Sequence, residues 1–298
     1  MLFMGINLEN KKTIFTVAGN DLVKKYQINF LIRFLIWLCI FCVCLLVPTF
    51  VSMQYLPILS CMLGLIIAHG IELQHQTIHY SAFKSKKLNI IIGNILGLPI
   101  LNSFSHYQYV HNWHHQHVGS AADIEFFSEH RLNSRIKLGD LLYKLISIHI
   151  SYILIFKRFI FYKNTVSEKI KREFSLHVLC HLLFIFICIS NVSYVVIYIN
   201  WLMSLAFYHA WHFLFEFPEH YLCSHEVKSI FFNTRSIQTN SFAKYLTNFN
   251  NFHAEHHLFP KVPMVCLEAI HRQVSIKVKH KNTSYFDFYK SIFTRNLM

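Results

Sequence analysis

Four stretches of this chain are apolar and almost free of charge: residues 30–47, 51–68, 174–190 and 192–215, with Arg33 the one charged residue among them. Each approaches the roughly 20 residues needed to cross a hydrocarbon core of about 30 Å. A connection around Pro48 and another around Asn191 are too short to be anything but turns, so the runs pair into two hairpins. The chain as a whole carries 14% charged residues, against roughly 25% in an average soluble domain, too few to cover a water-soluble surface of this size. These features predict an all-α integral membrane protein with four transmembrane helices in two hairpins and a helical cap on one side.

The basic residues set the orientation. Lys and Arg total 28 against 15 acidic residues, and the excess lies in the segments on one side of the hairpins, including Lys84, Lys86, Lys87, Arg131, Arg135, Lys157, Arg158, Lys261, Arg272 and Lys277. The turns near Pro48 and Asn191 carry none. The positive-inside rule then places both termini and the cap in the cytoplasm. Residues 1–28 are mixed and polar, without the apolar core and small-residue cleavage site of a secretory signal, and read as a cytoplasmic segment before one membrane domain over 29–298. The run 88–101 is short and holds Gly93, Gly97 and Pro99, so it reads as interfacial or re-entrant; residues 138–161 read as membrane-surface helices. No nucleic-acid-binding pattern accompanies the basic residues. Cys39, Cys42, Cys44, Cys61, Cys180 and Cys188 sit inside apolar runs as small packed residues, and no disulfide framework is visible.

Histidine is the residue type that breaks the apolar pattern. Of 21 in the chain, many fall in three groups on the predicted cytoplasmic side. His75 and His79 lie just past the second run, four apart and therefore on one helix face. His111, His114 and His115 form an H-x-x-H-H pattern whose three rings can converge on one ion, and His253, His256 and His257 repeat it. Eight imidazoles exceed what one tetrahedral zinc takes, so two metals are implied, although imidazole suits iron, copper, nickel and zinc alike.

The order H-x-x-x-H, H-x-x-H-H, H-x-x-H-H, with the first and last each following a hairpin, resembles the membrane fatty-acid desaturase and hydroxylase superfamily. The likeness runs from about His69 to Val262. Asn233-Thr234-Arg235 and Asn251-Phe252-His253-Ala254-Glu255-His256-His257-Leu258-Phe259-Pro260 are similar to bacterial members, as is Gly119 to Phe127 with Asp123 and Glu125. The resemblance implies a non-haem di-iron site, O2 as co-substrate, a bacterial inner membrane and a further ligand at His220, where some members place an asparagine four residues earlier and this chain has Glu216. His69, Glu72, His209, His212, Glu216 and Glu255 fit roles as hydrogen-bond partners that orient ligand rings. His177 and His181 form another i, i+4 pair, inside the third run.

Membrane embedding implies a lipid-like substrate entering from the bilayer. The chain has no C-x-x-C-H haem attachment, no iron-sulfur cysteine spacing and no G-x-G-x-x-G, so electrons are expected from a separate ferredoxin or cytochrome, for which a basic face is suited. By resemblance the reaction is desaturation of a fatty acyl or lipid-like chain. Hydroxylation or ketolation, and desaturation of a small amphiphilic metabolite, stand beside it. A histidine-rich metal transporter would need its ligands at the membrane midplane, and a zinc hydrolase would need H-E-x-x-H, whereas Gln76 follows His75.

Overall fold

A computed structural model describes residues 20–120, 122–123, 137–147, 149–164, 167–224 and 229–296. Glu125, Arg131, Arg135, His130 and His225, together with the first 19 residues, lie outside the described residues. The chain is mostly helical. Among the described residues, four helical stretches are long and apolar enough to cross a membrane: Asp21–Thr49, Met53–Ile78, Glu168–Ile189 and Val192–His220. They coincide with the four apolar runs and extend beyond them.

The first stretch is helix α1 (Asn20–Leu46) closed by a 3-10 turn at Val47–Thr49, where Pro48 sits in the first turn and supplies no N–H. Helix α2 (Leu56–Ile78) starts with Pro57 at a position whose N–H would have no helical partner. It is the buried centre of the bundle and makes its most extensive contact with α8 (Val195–His220). Helices α1 and α7 (Glu168–Ile189) instead turn a face of large apolar side chains outward, among them Leu35, Val43, Leu179 and Phe186. Water would not tolerate so continuous an apolar surface, and lipid would; the protein is an integral membrane protein.

Several polar groups at span depth are paired, as a medium without water favours. Ser60 on α2 donates to Asn200 Oδ1 on α8 at 2.8 Å, and Asn200 Nδ2 donates to the Cys44 carbonyl on α1 at 3.0 Å. Trp37 Nε1 donates to the Ile66 carbonyl at 2.8 Å. Gly64 lets α2 and α8 approach closely: a Cβ there would lie 2.7 Å from the backbone nitrogen of Tyr208.

The run 88–101, read as interfacial or re-entrant, lies on α3 (Lys86–Gly97) and a 3-10 turn at Leu98–Ile100, and this arm meets α4 (Phe104–His117) at 92°. The corner is locked to α2 by Gln74, whose Nε2 donates to the carbonyls of Gly93 and Asn102 at 2.9 and 2.7 Å. The bend thus aims α4, with the second histidine group, back over the end of α2.

Helices α5 (Leu138–Ile146) and α6 (His149–Asn164) follow, with α6 packed on the middle of α8. After α8 come α9 (Ile230–Asn233), strand β1 (Arg235–Ile237), α10 (Ser241–Leu246), α11 (His253–Leu258), α12 (Leu267–Val274), strand β2 (His280–Asn282) and α13 (Tyr285–Asn296). The two strands pair in parallel, Arg235 opposite His280 and Ile237 opposite Asn282. At three residues each, they are too short to leave a period in the sequence, and the described residues remain mostly helical, consistent with the all-α expectation. Their role is local: Asn251 and Ile237 exchange two hydrogen bonds of 2.7 Å, which fixes the entry to α11. All eight cysteines are free, as expected.

Replacing Gly64 by Leu should wedge α2 from α8 and cost roughly 1–3 kcal/mol, the usual range for overpacking. The check is thermal unfolding in detergent, with a lower Tm than wild type as the expected outcome.

Candidate metal centre

Three helix ends and one cap helix carry histidines to one place. Helix α2 continues through the first histidine group instead of ending before it, so His75 lies in its last turn and His79 at its C-cap. Apolar content marks where lipid ends, but the helix runs on because its last two turns are buried in the cap. Helix α4 brings His111, His114 and His115, α8 ends on His220, and α11 brings His253, His256 and His257.

All nine converge, in two groups. His75, His79, His111, His115 and His256 form one, His114, His220, His253 and His257 the other, and within each group the potential ligand nitrogens lie within 4.8 Å of one another. The expectation that each H-x-x-H-H pattern serves one ion is therefore wrong, and helix geometry explains why. Residues i and i+4 are rotated by about 40°, whereas i+3 falls about 60° to the other side. His111 and His115 accordingly share a group while His114 turns to the second. His253 and His257 share the second while His256 turns to the first. Each H-x-x-H-H box gives a pair to one group and a single ring to the other, while His75 and His79 both go to the first.

The nitrogens face one another at ligand-edge distances. In the first group His111 Nε2 lies 2.7 Å from His75 Nε2 and 2.9 Å from His115 Nε2, which is 3.1 Å from His256 Nε2. In the second, His257 Nε2 lies 3.2 Å from His114 Nε2 and 2.9 Å from His253 Nε2, which is 3.0 Å from His220 Nε2. A metal bound at about 2.1 Å from each imidazole nitrogen puts neighbouring ligands about 3 Å apart at right angles.

Hydrogen bonds on the far side of the rings turn their Nε2 lone pairs inward, as ligands of a metal ion would be turned. His114 Nδ1 donates to Asp123 Oδ2 at 2.9 Å, His220 Nδ1 to the Asn233 carbonyl at 2.9 Å, and His253 Nδ1 to Asn250 Oδ1 at 3.1 Å. A neutral ring that gives its proton away at Nδ1 presents a lone pair at Nε2. With both rings in that tautomer, the Nε2 atoms of His220 and His253 direct their lone pairs toward one another at 3.0 Å, the arrangement in which two rings can share one ion. In the first group the buried Nε2 of His79 has no hydrogen-bond partner among the described residues. The donor set thus fits two metal ions.

Burial and the neighbouring histidines push His79, His256 and His257 well below the ordinary histidine pKa, which keeps the rings in the neutral form that a metal needs.

Not every expected partner reaches a ligand ring. Glu255 lies two positions after His253, on the opposite side of α11, and its carboxylate accepts from Ser236 Oγ at 2.6 Å and His271 Nδ1 at 2.7 Å. It fastens α11 to β1 and α12 and does not orient a ligand. His69 Nδ1 donates to the Leu246 carbonyl at 2.7 Å beside Tyr245, holding α10 to α2. His209 Nε2 donates to the Lys144 carbonyl at 3.0 Å. Glu72 is buried and faces Glu216 and Asn250, and Glu216 pairs with His212 at 3.1 Å. His177 and His181 belong to neither group.

Two contributors escaped the sequence reading. Asn250 places its oxygen on His253 and donates through Nδ2 to Glu219 at 2.8 Å, and Glu219 Oε2 lies 3.3 Å from His253 Nε2. Position 250, one turn before His253, was the available signal for Asn250. Glu219, adjacent to His220, carried none, because neighbouring residues on a helix ordinarily face apart.

Fold and site define a membrane-embedded protein with two histidine groups suited to metal. The fatty acid desaturase family model matches residues 51–289, and the chain belongs to that family, hence to the oxidoreductases. Comparison with curated proteins gives no match.

Asp123→Ala should weaken metal binding by roughly 10–100-fold, the usual effect of losing a partner of a ligand histidine, as read by competition with a chelator. Glu255→Gln should lower the melting temperature with a much smaller effect on metal affinity. The depressed pKa values also fix a pH dependence for the metal-free protein: unfolded histidines take up protons near pH 6.5 while the folded ones stay neutral. The unfolded state therefore binds more protons, and stability falls as pH drops below that value. Melting curves in detergent between pH 8 and pH 5 should show Tm decreasing steadily below about pH 6.5.

Proposed function

We propose that the two histidine groups hold a pair of non-haem iron ions and that the protein is an O2-dependent desaturase of fatty acyl or lipid-like chains. The observation that carries this reading is the convergence of nine imidazoles into two buried groups in a chain of the fatty acid desaturase family. Five nitrogens would hold one iron and four the other. When bound, the iron pair supplies the capacity to reduce O2 and to oxidise an unactivated C–H bond.

The protein's own part is positioning. Asp123, Asn233 and Asn250 fix the tautomers and ring planes of His114, His220 and His253, so the ligands are set before metal arrives. Ligands on four different helices resist distortion because each helix is anchored separately, α4 by the Gln74 corner and α11 by Glu255 and Asn251. Burial of the rings keeps bulk water from the site. Glu219 lies close enough to His253 to complete the set of polar groups at the second ion.

In this reading residues 29–298 form one membrane domain of two transmembrane hairpins, and the histidine-bearing cap lies on the cytoplasmic side of a bacterial inner membrane with both termini. Exposed Lys84, Lys86, Lys87, Lys261, Arg272 and Lys277 would then face the cytoplasm and favour an acidic electron carrier, a ferredoxin or a cytochrome.

The test is product analysis. The chain and its His256→Ala variant are expressed in a bacterial host, and lipids and small metabolites are compared by mass spectrometry. Wild type is expected to yield products lacking a pair of hydrogens, and the variant none. Products that gain oxygen would reassign the chain to hydroxylation, and identical profiles would contradict the proposal.

A further inference from the structure

The connection between α10 and the third histidine group holds two consecutive residues in the left-handed region, Asn248 at φ 47° and Phe249 at φ 67°. Helix α10 ends there on a Schellman pair: the N–H of Phe249 donates to the Lys244 carbonyl at 2.8 Å and that of Asn248 to the Tyr245 carbonyl at 3.1 Å. Glycine is the usual residue at the position of Asn248, because it adopts this conformation without a Cβ penalty. Here an asparagine stands in its place, buried, with both ends of its amide in use.

Asn248 Oδ1 accepts from Arg33 Nη1 on α1 at 3.3 Å. Its Nδ2 faces two acceptors on α2, the Glu72 carbonyl at 3.2 Å and Gln76 Oε1 at 3.1 Å. Gln76 passes the link on: its Nε2 donates to the Ser81 carbonyl at 3.1 Å, and Ser81 Oγ donates back to the Gln76 carbonyl at 3.0 Å. That closes the turn carrying His79. One asparagine therefore reaches the whole of the first histidine group, whereas the contact of His69 with the Leu246 carbonyl lies further back along α2.

The two metal groups do not depend on this link equally. Helix α2 gives His75 and His79 to the five-histidine group and nothing to the other, while α11 gives His256 to the first and His253 and His257 to the second. Helix α11 is fixed from its other side, through Asn251 to Ile237 and through Glu255 to Ser236 and His271. What Asn248 adds is the register of α2 against the turn that leads into α11. The group that contains residues of both helices is the first.

We infer that Asn248 is a positioning residue for the five-histidine group alone: by donating to Glu72 and Gln76 it sets His75 and His79 against His256, and the four-histidine group is assembled without it. This rests on the reading of both groups as metal sites and deepens it. A glycine at position 248 would satisfy the backbone as well or better, so the side chain is retained for what it holds.

The test counts metal ions and needs no turnover. The full chain, purified in detergent and stripped of metal, is loaded with Co(II) and then exposed to a chelator at a concentration that leaves two ions on the wild type. Asn248→Gly keeps the left-handed backbone and should retain one, its other site weakened roughly tenfold or more, as when a partner of a ligand is lost. Asp123→Ala, which removes the partner of His114 in the four-histidine group, should also retain one. The double variant should retain none. Asn248→Asp keeps the acceptor for Arg33 but cannot donate to α2, so it should behave as Asn248→Gly does and carries the comparison if the glycine variant fails to fold. Two ions kept by a folded Asn248 variant, both lost from it, or one ion left on the double variant overturns the inference. A wild type that holds fewer than two cobalt ions sinks the metal reading with it, whereas a chain that passes this test yet makes no desaturated product sinks the desaturase reading and leaves the positioning role standing.

Discussion

Lone pairs that face one another in a buried space are the constraint on which the rest of this structure depends. The Nε2 atoms of His220 and His253 approach to 3.0 Å while each ring has already given its proton at Nδ1. A metal cation held between the two nitrogens turns that repulsion into a pair of ligand bonds. The asparagines and Asp123 that fix the far side of the rings therefore hold the site in a form suited to metal, and the surrounding anchors supply the rigidity to maintain it.

The interleaving of the boxes follows from the same helical arithmetic and has a structural consequence. Because α4 and α11 each contribute a pair to one group and a single ring to the other, neither group can move without disturbing both helices. The two ions would thus be held at a fixed relation by ordinary helix geometry, without a side chain bridging them. The parallel pairing of β1 and β2 and the Glu255 links to Ser236 and His271 then act on both groups at once, since they fix α11.

Much of this was legible in the sequence. The four spans could be read because about 20 uncharged residues have few other uses, and the three boxes because i, i+3 and i+4 spacings put side chains on neighbouring faces. His220 was located by resemblance alone. What the sequence reading missed is which rings share a group: His114 and His115 are adjacent in sequence and point to different groups, because i+3 and i+4 fall on opposite sides of His111. The roles of Glu255 and His69 were misread for a related reason. Proximity in sequence to a ligand suggested contact with it, whereas helix rotation turns Glu255 toward α12 and the packing of α10 captures His69. The short strands and Asn250 belong to the irregular cap, where pairing is decided by tertiary contact and leaves no periodic pattern.

The most direct test of the account is the metal itself. Elemental analysis of the purified chain, combined with Mössbauer spectroscopy of protein grown on iron-57, should find two iron ions per chain, both in nitrogen-rich surroundings. A single metal per chain, or zinc in place of iron, would contradict it.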